Sequence, residues 1–69
     1  MYFHVNLQKY REEKGITQLR LARLSGVSQA FISQIESGER VPNVYIAEKL
    51  ALALGKTLDD MMGGGDNDA

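Results

Sequence analysis

Two runs of helical periodicity separated by almost nothing constrain this chain more than any other feature. The first, TQLRLARLS from Thr17, is closed by Gly26, and Val27 alone parts that glycine from Ser28, which opens the second, QAFISQIES. Thr17 and Ser28 each offer a hydroxyl to the free N–H groups of a first helical turn, so each is expected to cap a helix. A connection this short can only turn, and the two helices must cross steeply. Ala22 is small where the two backbones approach, and Gly26 accepts a left-handed conformation that costs other residues energy. Leu21, Val27, Ile32 and Ile35 then point inward.

Elsewhere apolar residues also recur at three and four positions, and no stretch alternates over strand length, so the chain is expected to be all-α. Helix 1 carries Phe3, Leu7 and Tyr10 on one side and ends near Lys14-Gly15. Pro42 disfavours helix in the residue before it, Asn43 caps helix 4, and helix 4 runs to Leu54 before Gly55. A short helix 5 covers roughly Leu58 to Met62, with Thr57 and Asp60 forming an acidic capping box. These elements make a compact five-helix bundle of residues 1–62, followed by a Gly/Asp tail at 63–69 with nothing apolar to bury, which is expected to fray. The segment from Tyr2 to Val5 either extends helix 1 or lies as an extended arm.

Composition narrows the functional classes. Sixty-nine residues, 43% of them hydrophobic, permit one small domain; a chain of this size buries only about 60% of its unfolded-state surface, so self-association is expected. There is no cysteine for a disulfide or a thiolate metal site, and no run of roughly 18 apolar residues or signal-peptide pattern, so the reading is a cytoplasmic protein with no membrane partner. His4 is the only histidine and has no carboxylates at ligand spacing; it reads as a surface residue, and no metal, cofactor or small-molecule ligand is expected. Without a glycine-rich phosphate loop after a strand or an inward carboxylate pair, an enzyme is not expected either. The net charge of −1 conceals an uneven distribution. Residues 1–58 hold all 8 Lys and Arg against 5 Glu, a net +3, whereas Asp59, Asp60, Asp66 and Asp68 crowd the C-terminal end. A mildly basic body permits an anionic partner such as nucleic acid.

The outer face of helix 3 says more. It shows Gln29, Ala30, Ser33, Gln34 and Ser37, none of them charged. Gln bonds adenine N6 and N7 together, small Ala or Ser allows approach to a thymine methyl, and a Ser hydroxyl donates or accepts, so such a face can read base edges in a major groove. Phosphate contacts alone carry no direct sequence information. On a helical projection Arg11 falls on the side of Leu7 and Glu36 beside Ile32; both approach the core and are expected to pair, because a buried charge without a partner is costly.

The segment TQLRLARLSGVSQAFISQIESGERVPN resembles the phage-repressor-type helix-turn-helix family (lambda/434 repressor and Cro-like, the xenobiotic-response-element family), over about residues 5–62. The likeness includes Arg11, Thr17-Gln18, Leu21-Ala22, Gly26-Val27-Ser28, Ile32-Ser33, Ile35-Glu36-Ser37-Gly38 and Pro42. It implies a lambda-repressor-like fold and a sequence-specific double-stranded-DNA-binding transcriptional regulator, a repressor or autoregulator, that binds a palindromic operator as a homodimer. It further implies that Gln29, Ala30, Ser33 and Gln34 face the groove, while Gln18, Ser28, Arg40 and Asn43 hold phosphates. The sequence departs from the family pattern at Phe31, where a hydroxyl is common, at Leu19 and Leu52, usually polar, and at Lys56, where a small apolar residue usually packs. Leu19, Tyr45, Leu52, Met61 and Met62 read either as extra core or as a partner surface, and Tyr45 and Leu52, seven apart on helix 4, share a face that fits a helix-to-helix dimer contact. Arg20 and Arg23 read as a solvated helix face. The alternative from another class is an antitoxin or adaptor of the same fold that holds another protein through Leu19, Leu52 and Met62.

Overall fold

The computed structural model describes residues 3–63, which form five α-helices and, among the described residues, no strand. They are α1 (Phe3–Glu13), α2 (Gln18–Ser25), α3 (Gln29–Glu36), α4 (Val44–Ala53) and α5 (Leu58–Met61). Phe3, His4 and Val5 therefore belong to α1, while Tyr2 lies outside the described residues. Of the expected tail, Gly63 sits in the turn after α5 and 64–69 lie outside the described residues.

Local chemistry sets the helix starts. The first N–H groups of a helix have no partner within it. Thr17 Oγ1 accepts from Arg20 N at 3.0 Å, Ser28 Oγ from Phe31 N at 3.1 Å and Asn43 Oδ1 from Ile46 N at 2.8 Å. At α5, Thr57 Oγ1 accepts from Asp60 N while Asp60 Oδ2 accepts from Thr57 N, and that backbone donor holds the Asp60 carboxyl below its ordinary pKa.

Packing joins these pieces around one core. Helix α2 lies against α3 and α4, α1 against α3 and α5, and α4 against α5. Leu7, Leu21, Val27, Ile32, Ile35, Leu50, Ala51, Leu54 and Met61 fill the space between them. Met61 was open to extra core or a partner surface, and its burial at 0% exposure decides for the core and corrects its place on a dimer surface. A one-turn helix wedged between α1 and α4 can aim only one of two adjacent methionines outward; Met62 takes that place at 55%.

Asn6, buried on α1, closes the far end of α5. The last carbonyls of a helix lack partners. Here Asn6 Nδ2 donates to Met61 O at 2.7 Å, with the Tyr10 hydroxyl a longer 3.5 Å from Asp60 O. Asn6→Ala would leave the Met61 carbonyl buried and unsatisfied, and is expected to cost about 1.5 kcal/mol. For a domain of this size that lowers Tm by about 6–12 °C. Thermal unfolding followed by circular dichroism measures it; a variant that melts with the wild type would show that this bond holds nothing.

Candidate nucleic-acid interface

The connection between α2 and α3 is what exposes α3. Gly26 adopts φ 78° and donates its N–H to Ala22 O at 2.8 Å, which terminates α2. Ser25 Oγ accepts from Val27 N at 3.2 Å, and buried Val27 pins the turn to the core. A Cβ on Gly26 would meet Lys49 Nζ no closer than 3.7 Å, so the position needs glycine for its left-handed backbone rather than for room.

With the turn pinned, α3 buries Ile32 and Ile35 and leaves Gln29, Ala30 and Ser33 exposed, with Gln34 half-buried beside them. The four expected base-reading residues thus share one side of one helix. Ser28 and Asn43 stand at the N-termini of α3 and α4. Each spends an acceptor on its cap, which leaves the Ser28 hydroxyl hydrogen and the Asn43 amide NH2 to donate, the polarity a phosphate requires.

Arg40 is exposed and its loop is tied down. Gln34 O accepts from Glu39 N at 2.9 Å, from Arg40 N at 3.1 Å and from Ser37 Oγ at 3.0 Å. Three donors on one carbonyl draw the α3–α4 connector against the last turn of α3. Arg20 and Arg23 are exposed on α2.

Behind this face lies an ionic cluster. Arg11 Nε donates to Glu36 Oε2 at 2.7 Å and Nη2 to Oε1 at 3.0 Å, a two-pronged pair, while Nη1 donates to Ile16 O at 2.8 Å. The two side chains are only 12% and 5% exposed. The bond to Glu36 raises the Arg11 pKa above its already high ordinary value, so the guanidinium is always charged. Gln18, expected to hold a phosphate, donates through Nε2 to Glu36 Oε1 at 2.9 Å. It is half-buried at the first position of α2, and the cluster thereby ties α1, the start of α2 and the end of α3 together.

Tyr45 and Leu52 are exposed at 67% and 80% on the outer side of α4, with Lys49 Nζ 5.1 Å from the Tyr45 ring centre. His4 is half-buried, its Nε2 lying 3.8 Å from where a Gly38 Cβ would stand. Two more positions belong to this region: Val41, 88% exposed beside Arg40 and passed over in the sequence, and Phe31, the departure from the family pattern, half-buried next to Gln34. An apolar residue placed between Arg40 and Pro42, in a connector that builds no core, was the available signal for Val41.

Comparison with known proteins agrees with this architecture. The helix-turn-helix family profile HTH_3 matches residues 7–61. The uncharacterized HTH-type transcriptional regulator y4dJ of Sinorhizobium fredii is 44% identical over 50 residues, 72% of this chain and 65% of that protein. Among solved structures, the restriction-modification controller protein C.AhdI of Aeromonas hydrophila superimposes with a TM-score of 0.83 at 32% identity, covering 87% of each chain. The DNA-binding domain of the P22 C2 repressor superimposes with a TM-score of 0.86 at 29% identity, over 99% of this chain and 88% of that one. The chain spans 49–65% of the length of three curated relatives that it matches. Among the described residues no helix is long and apolar enough to cross a membrane. With most of its length matched and the caps, turn and core of that fold in place, the chain belongs to the helix-turn-helix family HTH_3, and relatives that it matches are named HTH-type transcriptional regulators.

Proposed function

We propose that the protein is a cytoplasmic repressor or autoregulator that binds a palindromic double-stranded operator as a homodimer, with α3 in the major groove. The observation that carries this is the exposed, uncharged face of α3, where Gln29, Ala30, Ser33 and half-buried Gln34 offer donors, acceptors and a small apolar group without any charge to dominate them. On this reading those four residues read base edges, and Ser28, Asn43 and Arg40 grip phosphates around them. Gln18 presents its second amide hydrogen, or the N–H groups at the start of α2, to a further phosphate from a position set by Glu36. The likeness to the P22 C2 repressor and to the restriction-modification controller C.AhdI supports a role in controlling transcription.

Dimerisation would use Tyr45, Leu52 and Met62, without Met61, and would set two recognition helices about 34–36 Å apart on one side of the duplex. The same exposed residues, together with Val41 and Val44, favour a second reading in which an antitoxin or adaptor holds another protein. Selection of bound duplexes from a random pool, followed by gel-shift titration, separates the two. The regulator reading expects an inverted repeat with half-sites one helical turn apart. A chain that shows no preference among duplexes, and sediments as a monomer, belongs to the second reading.

A further inference from the structure

Beside the amide face of α3 lies a shallow open notch lined by Phe31, Gln34, Glu39, Arg40 and Val41. The backbone sets its shape. The Glu39 and Arg40 N–H groups both donate to Gln34 O, which folds the connector back so that Val41 faces the same recess as the last turns of α3. Phe31 precedes Gln34 by three residues and shares its side of the helix. Phe31 packs against the core and also lines the notch, and Val41 contributes an almost fully exposed side chain to the same notch.

On the DNA-binding reading, on which this inference rests, the notch is lined both by Gln34, a reader of base edges, and by Arg40, a phosphate contact. The same notch holds an aromatic ring and an isopropyl group, which a phosphate does not seek, and the Glu39 carboxylate repels a second phosphate. Base edges in the major groove carry one apolar group, the C5-methyl of thymine. We propose that Phe31 and Val41 are specificity-determining residues that enclose a thymine C5-methyl group in this notch and select a T·A pair at one position of each half-site.

The test replaces each thymine of the selected operator in turn by deoxyuridine, which removes only the methyl, and measures affinity by fluorescence anisotropy. One thymine per half-site is expected to lose about fourfold, the worth of one buried methyl group. Phe31→Ser and Val41→Ser should each bring that thymine-to-uracil ratio towards one and leave the ratios at other thymines unchanged. Val41 builds no core, so V41S decides the matter if F31S does not fold. An operator in which no methyl affects binding, or a methyl effect that V41S leaves intact, overturns the inference while the DNA-binding reading stands. Wild-type protein that prefers no duplex rejects both.

Discussion

Glu36→Ala is expected to lower stability by about 3 kcal/mol, larger than any other single change considered. The reason is the fate of Arg11. Its side chain is only 12% exposed, and its guanidinium is bound at two points to Glu36 and at a third to the Ile16 carbonyl and cannot lose its proton. Removing the carboxylate leaves that charge unpaired and takes the partner of Gln18 as well. A domain of this length has a total stability of about 3–10 kcal/mol, so the variant sits near the edge of folding and its Tm should fall by about 12–24 °C. The double variant Arg11→Met with Glu36→Leu removes both charges and should recover much of the loss, because paired burial is costly to begin with and apolar replacements of similar size are often neutral. Thermal melts of the singles and the double form a cycle. Single variants that melt within about 4 °C of the wild type would mean that the pair is not holding α1 to α3.

Gln29→Ala is expected to weaken binding to the selected operator by about 1–3 kcal/mol, roughly 5- to 150-fold, and to relax preference at one base position. Gln29 is exposed at the first position of α3 and its side chain makes no hydrogen bond among the described residues, so the Tm of the variant should not move. Arg40→Ala supplies the contrast: it should weaken every duplex alike and reduce the dependence of log affinity on log salt by about one. Titration against the operator and its single-base variants distinguishes a base reader from a phosphate contact. If Gln29→Ala weakened all sequences equally, the amide would not be reading a base.

Fluorescence of bound duplexes and melts of variants probe different layers of the same design, and the layers were not equally legible in the sequence. Helix starts were legible because a cap is local: Thr17, Ser28, Asn43 and Thr57 each bond a backbone N–H three residues away. The turn at Gly26 was legible for the same reason. The Arg11–Glu36 pair, 25 residues apart, could still be found, since two charges on the inward sides of their helices have few partners other than each other.

Met61, Asn6 and Gln18 were not legible in this way. Four residues of α5 give no period from which to tell Met61 from Met62, so only the docking of α5 between α1 and α4 assigned them. Asn6 looks like an ordinary polar surface residue until α5 brings an orphan carbonyl to it from 55 residues away. Gln18 gained a carboxylate partner that its own helix does not supply. The order of residues alone therefore determined where helices begin, where they stop and which stripe of each is apolar, because those depend on atoms within one turn. Tertiary structure decided which polar groups are consumed in holding helices together and which are left facing out, because that depends on how separate helices meet, and their meeting is set by the close packing of a shared core.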